Sequence, residues 1–590
     1  MEQFSLLWPT GKKTGPFDFS DCMEDLELGR LSSLLFSGMP MEEGVSLASE
    51  MITSDPAVIA WRGDVLDDLM RGPALTQALC QVRDMSLRLK THTAGIHANA
   101  RGLVATAAPL EGFKKTVTNL EKLLRKGGNM LLDELDPDDY YAQFVRAVLF
   151  FYEHTKEYTG AMRLLKSALT EADLRAPALL ALRDWVLTQY EEDKIEDSLR
   201  QLEQTDSWWT GISGFALDVC LDQGMNLESL EMSEIRSVPY QKAGMLDRLA
   251  EEGFDGLTAV MAFPRTPNSV QYQEYLLCEL GKQARPELTR LRKEIIRIPV
   301  AGRETVIALG DELTFYTSAV RFCHRLREAG MPVVRPVQAS EDKALEAEDL
   351  YMPELALSGA AGAVTNPASL GRGGYVNLVT GANSSGKTTW LIAVGQLQWL
   401  YQLGCYVPAS RAAMRPVDAL YTLFAAGESD TSEDSRMGLE VERIAAFTAA
   451  MTPNSLVLLN EPMTSTSASE GIEIILDLLT NLIDSSVSGM VVTHYNEVYR
   501  LLSDRLAASG RRDRLRSLVM EVERGEDASI RYPYRIKESP PGASSYARAI
   551  VARLGLELDT MLNKMSRAGM DTRPEDAAWA AIRGAEREEA

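Results

Sequence analysis

Gly381-Ala382-Asn383-Ser384-Ser385-Gly386-Lys387-Thr388 decides the fold of this chain. The stretch fits the spacing G-x-x-x-x-G-K-[ST], and it stands between an apolar run, YVNLVTG (375–381), and a helical pattern, TTWLIAVGQLQWLYQLG. Strand, glycine-rich turn and helix in that order make a loop whose backbone N–H groups close around phosphate oxygens. The helix start adds its partial positive charge. Within this cradle, Gly381, Ala382, Asn383, Ser384, Ser385 and Gly386 supply backbone, and Lys387 reaches the terminal phosphates. The Thr388 hydroxyl faces Mg²⁺, with Thr389 beside it. The expected ligands are ATP and Mg²⁺.

Two further apolar runs follow, SLVLLNE (455–461) and GMVVTH (489–494), each ending in polar residues. Repeated strand–loop–helix units predict a parallel α/β sheet with its site at the strand C-termini. Glu461 then stands where a carboxylate can polarise an attacking water. Asn460 takes the metal-side position, where a neutral amide accepts a bond from metal-bound water but adds no charge. Slow hydrolysis or weak Mg²⁺ binding is the expectation. His494, ending the third run, can bond a phosphate oxygen or the lytic water. The acidic loop GESDTSEDSRMGLEVERI (427–444) leads into a helix whose start could face a phosphate on a second subunit.

Upstream, residues from about 50 to 350 read mostly as helix. Apolar residues recur at three- and four-residue spacing in 58–90, in 176–202 and in 309–330, the last stopping at Gly330. GFALDVCLDQGMNLESLEM (214–232) alternates and predicts a short strand pair. SGAAGAVTNPASLGRGG (358–374) reads as a boundary. The expected layout is an N-terminal segment (1–55), a mainly α-helical core or lever domain (56–357), an ABC-like P-loop ATPase domain (358–560) and a tail (561–590).

The 590 residues carry 84 acidic against 61 basic side chains, a net charge of -23. Such a chain gets no help from its overall field in approaching a phosphate backbone. Lys and Arg do gather in 86–130 and 289–303, where they could meet phosphates or simply solvate helices. No apolar run reaches the ~18 residues that span a bilayer, and the start lacks a secretory layout. Six scattered cysteines without a C-x-x-C pair fit buried small hydrophobes in a reducing, cytoplasmic setting.

In order, these motifs resemble the ATPase domain of the MutS DNA mismatch-repair family. Asn366-Pro367 with Leu370 is similar to the family's lead-in strand, beside which adenine is bound. GCYVPA (404–409), NEPMTSTSASEG (460–471), THYNEV (493–498) and YRIKESPPGASSYARAIVARLGL (534–556) match its later runs. The resemblance is specific over about 360–557 and looser over about 55–350. It implies ATP hydrolysis, a head-to-tail homodimer around two nucleotides, and action on mismatched, branched or recombining DNA. It also implies Asn366 near the base. The chain departs from the pattern in several ways. It lacks room for mismatch-reading and connector domains, has no Phe-x-Glu wedge near its start, and leaves little space for a β-rich clamp. It has Met437-Gly438 where the family has Ser-Thr, although Gly427, Ser429, Asp430, Arg436 and Glu442 align. An ATP-gated scaffold acting on a protein partner is the alternative. A transporter subunit is disfavoured because no Leu-Ser-Gly-Gly-Gln signature occurs.

Overall fold

The structure is a computed structural model that describes residues 5–9, 17, 19, 22–101, 137–210, 214–223, 227–236, 278–297, 300–359, 363–424, 433–524 and 530–541. The basic stretch 102–130, loop residues 427–432, the closing segment from 542 and the tail 575–590 lie outside these.

The helices are α1 (Leu28–Leu35), α2 (Met41–Met51), α3 (Pro56–Arg71), α4 (Pro73–Arg101), α5 (Pro137–Glu171), α6 (Pro177–Glu192), α7 (Ile195–Thr210), α8 (Arg285–Arg297) and α9 (Val300–Glu328). They continue with α10 (Pro353–Leu357), α11 (Lys387–Gln402), α12 (Glu433–Ala450), α13 (Ala468–Asp484) and α14 (Asn496–Ala508). The strands are β1 (Gly214–Leu221), β2 (Leu227–Arg236), β3 (Val337–Gln338), β4 (Lys343–Leu350), β5 (Asn366–Gly371), β6 (Val376–Thr380) and β7 (Arg411–Met414). After them come β8 (Leu420–Phe424), β9 (Leu456–Asn460), β10 (Ser488–Val492), β11 (Leu515–Met520), β12 (Glu523–Arg524), β13 (Ile530–Arg531) and β14 (Ile536–Glu538).

The chain divides into two compact units, residues 1–13 with 60–321, and residues 14–59 with 322–590. Among its described residues the first is mainly helical and carries β1 and β2, which pair antiparallel as the alternating sequence predicts. Its helices carry Leu79, Val82 and Leu89 on α4 and Tyr158, Met162 and Leu165 on α5 into the interior at helical spacing. Buried among them, the Tyr158 hydroxyl donates to Asp193 Oδ2 at 2.8 Å. Removal from water pushes the phenol upward, and the neighbouring carboxylate adds to this.

In the second unit a six-stranded sheet runs β14-β11-β6-β10-β9-β8. β8, β9, β10, β6 and β11 are parallel, and β14 is the antiparallel edge. Every residue of β6, β9 and β10 is buried, the mark of a sheet covered on both faces, so these strands read as unbroken apolar runs. On one face Ile475, Leu479 and Leu482 of α13 and Val498 and Leu502 of α14 pack against Val457, Leu459 and Val491. A second sheet, β3-β7-β4-β5, lies in the same unit, and Asn377 Nδ2 of β6 donates to Ser369 O of β5 at 2.7 Å.

Helix α11 is buried almost throughout, including Gln396, Gln398 and Gln402. A buried amide needs partners, and here they come from the N-terminal part of the unit: Gln396 Nε2 donates to Leu26 O at 3.1 Å and Gln402 Nε2 to Thr53 O at 3.1 Å. Gly395 makes room for Leu26, whose Cδ2 would lie 2.5 Å from an added Cβ. The helix stops at Gly404, which takes φ 81° while Gly404 N–H donates to Tyr401 O and Cys405 N–H to Leu400 O.

Four cysteines are buried, Cys80 is partly so and Cys220 is exposed on β1, so the expectation of six buried thiols fails at Cys220, which the two-stranded sheet leaves facing solvent. Among the described residues no helix is long and apolar enough to cross a membrane.

Candidate functional site

The phosphate-loop sequence forms a tight turn between β6 and α11. Gly381 sits at φ 146°, Ser384 at 65° and Gly386 at 95°. At Gly386 an added Cβ would also stand 3.2 Å from the Tyr534 ring, so glycine is required there twice over. Lys387 is 6% exposed, and its Nζ donates to Gly381 O and Ala382 O, each at 3.0 Å. Burial lowers the ammonium from its usual range, opposed by Glu461, whose Oε1 lies 3.7 Å away. The Ser385 hydroxyl is buried with no hydrogen-bond partner among the described residues.

Asn460 and Glu461 stand at the C-terminal end of β9, beside β6 across β10. The Thr388 hydroxyl donates to Asn460 Oδ1 at 3.0 Å. Glu461 has left the strand conformation, at φ 52°, and its N–H donates to Val492 O at 2.9 Å. One of its carboxylate oxygens accepts the His494 backbone N–H at 3.1 Å and lies 2.5 Å from His494 Nδ1. Burial would raise this carboxyl; the His494 bond and charge, joined by Lys387, hold it below the usual range instead. The His494 ring, itself exposed, lies 4.1 Å from that of Tyr495.

Lys387, Thr388 and Glu461 open onto a cleft of about 760 Å³ lined also by Asn383, Ser384, Gly386, Thr389 and Asn366, with Tyr351, Leu355, Val364 and Tyr534 as its apolar wall. A volume of that order suits a nucleotide-sized ligand. Asn366 lies in the wall, but its amide is committed to the chain: Nδ2 donates to Tyr534 O and Oδ1 accepts Ile536 N–H, both at 2.8 Å. It thereby braces Tyr534 at φ 57°.

The fold therefore brings Lys387, Thr388, Asn460, Glu461 and His494 into one place, with Asn366 and Tyr534 together in the cleft wall. Sequence reading missed Tyr534, which lies within a quoted motif but carries no distinctive spacing. It also missed Glu440, whose carboxylate accepts Met463 N–H at 2.9 Å across 23 residues. Arg436, Met437, Gly438 and Glu442 lie on α12, while Gly427, Ser429 and Asp430 are outside the described residues.

The residues present fit a magnesium-bound triphosphate. The lysine and the helix start would supply donors for phosphate oxygens. Beside them Thr388 and Asn460 bring only neutral oxygens, which bond one another. Among the described residues no cluster of three or more His, Cys, Asp or Glu could hold a metal unaided, so a cation here would depend on the nucleotide's own oxygens.

The family model of MutS domain V matches residues 377–559. The DNA mismatch repair protein MutS of Synechococcus sp. (strain CC9605) is 25% identical over 462 residues, covering 76% of this chain and 48% of that protein. That of Synechococcus sp. (strain CC9311) is 25% identical over 476 residues, covering 76% and 47%. That of Caldanaerobacter subterraneus subsp. tengcongensis is 27% identical over 198 residues, covering 33% and 22%. The chain spans about half the length of the first two relatives.

Proposed function

We propose that the chain belongs to the MutS family, on the match of residues 377–559 to MutS domain V and its likeness to the MutS proteins, and that it binds and hydrolyses ATP and couples nucleotide state to movement of its helices on DNA. The observation that carries the reading is the meeting of Lys387, Thr388, Asn460 and Glu461 at the ends of β6 and β9. In this reading residues 358–560 form an ABC-like P-loop ATPase domain and 56–357 a core or lever domain. Backbone N–H groups of Gly381 to Gly386 and the Lys387 ammonium bind the phosphates, with Thr389 beside them. Thr388 and, through water, Asn460 would hold Mg²⁺, which would supply charge to offset that on the phosphates. Glu461 accepts a proton from the attacking water, and His494 fixes the carboxylate's orientation. Turnover is slow because Asn460 brings no charge to the metal. Two copies meet through their nucleotide sites, in the cytoplasm.

DNA as the substrate is supported by the name of the relatives, DNA mismatch repair protein MutS. The exposed Arg285, Arg290 and Lys293 of α8 offer phosphate contacts. The net charge of -23 favours a second reading, an ATP-gated scaffold acting on a protein partner. ATP hydrolysis by the wild type, abolished by Lys387→Ala, tests the enzyme. DNA affinity measured against salt separates the two partners: backbone contacts give a steep negative slope of log K on log salt, a scaffold gives none.

A further inference from the structure

The N-terminal part of the second unit reaches the nucleotide site through one turn of α12. Asp25, 14% exposed, accepts the Thr422 hydroxyl at 2.7 Å and Arg443 Nη2 at 2.8 Å. The same guanidinium nitrogen donates to Thr422 O on β8 at 3.0 Å. Asp25 thus ties strand β8 and helix α12 to a segment some 400 residues away in sequence. Arg443 is a charge-assisted, near-planar donor, so the α12 turn that bears it is held in one register against the sheet.

Three residues earlier on that turn is Glu440, which shares its helix face with Arg443. Its carboxylate accepts the N–H of Met463, and burial raises its titration against that hydrogen bond. Met463 is fully buried at φ 60°, and Glu461, two residues before it, is at φ 52°. Non-glycine residues in this region persist only where the surroundings over-determine them. The Glu440 bond to Met463 on one side and the Val492 carbonyl on the other constrain this backbone. Neither depends on local sequence.

We propose that Asp25 and Glu440 are positioning residues for Glu461. Asp25 fixes Arg443 and with it the α12 turn, and Glu440 on that turn holds the 461–463 backbone so that the Glu461 carboxylate faces Lys387 and His494. The N-terminal segment is in this account part of the nucleotide site, although none of its atoms lines the cleft. The proposal rests on reading Glu461 as the group that activates water.

The test uses the full chain with Asp25→Asn, Asp25→Glu, Glu440→Ala and Glu440→Gln. Amide hydrogen exchange over 461–466 in nucleotide-free protein is read beside kcat and KM for ATP. Asp25→Asn and Glu440→Ala should accelerate exchange in that loop and lower kcat by about tenfold, with KM held within about twofold, as expected when a reacting group is misplaced but binding is intact. Asp25→Glu, which keeps the charge facing Arg443, and Glu440→Gln, which keeps an acceptor for Met463 N–H, should recover part of both effects. Loop exchange unchanged in Asp25→Asn and Glu440→Ala overturns the proposal whatever the activity. So does a loss expressed only in KM. If the wild type hydrolyses no ATP while the variants still loosen 461–466, the enzymatic reading falls and the structural link stands. Should Asp25→Asn fail to fold, Arg443→Lys interrogates the same link from the helix side, and unchanged exchange there is equally fatal.

Discussion

The Glu461 carboxylate and His494 close a ring across the ends of two neighbouring strands, with the backbone N–H at 3.1 Å and Nδ1 at 2.5 Å from one oxygen. The register makes this possible. Asn460 pairs with Val492 in the parallel β9–β10 ladder, so the residues leaving each strand emerge side by side. A histidine two positions beyond its strand meets a carboxylate one position beyond its own.

That ring sets a pH dependence. Glu461 titrates below the usual carboxylate range, against its burial, because His494 and Lys387 favour the charged form. A depressed folded value means its contribution to stability is present above the unfolded carboxyl value and disappears as pH falls through the folded one. His494→Ala leaves burial less opposed, so the Glu461 titration moves up. The acid limb of ATP turnover should shift to higher pH in that variant; a profile superimposable on the wild type would refute the coupling.

Lys387→Ala removes the ammonium that spans the loop carbonyls and Glu461. In the wild type, Mg·ATP at 100 times Kd should add about 2.7 kcal/mol of stability by mass action. Thermal melting should show that gain, and the variant should lose it entirely. Equal melting shifts in both proteins would count against the site.

Asn460→Asp keeps the acceptor for the Thr388 hydroxyl and adds a charge where metal-bound water is expected. Steady-state turnover at limiting Mg²⁺ should rise roughly tenfold, about 1.4 kcal/mol. Unchanged or lower turnover means the neutral amide is not what limits the reaction.

Leu26 is fully buried against Gly395. Leu26→Ala should cost about 3 kcal/mol, in the usual range for a core leucine, read as a lowered denaturation midpoint at constant slope. A loss under about 0.5 kcal/mol, the size of a surface substitution, would show that the N-terminal segment does not belong to this core.

The loop from Gly381 to Thr388 and the unbroken apolar strands around it are local patterns, and local patterns are legible. A tight turn demands glycine, a phosphate demands donors at a helix start, and a strand buried on both faces shows no alternation. The strand pair at 214–236 announced itself by alternation in the same way. The buried glutamines of α11 could be seen as polar residues in an apolar helix, but their partners, Leu26 O and Thr53 O, lie more than 340 residues away. Asn366 could be connected with the cleft from its motif, though not its bracing of Tyr534.

By itself, then, the sequence determined the glycine-rich turn between strand and helix, the carboxylate and histidine at two strand ends, and the change from helical to α/β pattern. Tertiary structure alone decided which strands became neighbours, that Asp25 grips Arg443, and that Glu440 supports the turn after Glu461. The physical reason is range: hydrogen-bond geometry within a turn or helix start is dictated by adjacent residues. Strand order and buried polar pairing are settled by packing between segments whose separation along the chain carries no signal.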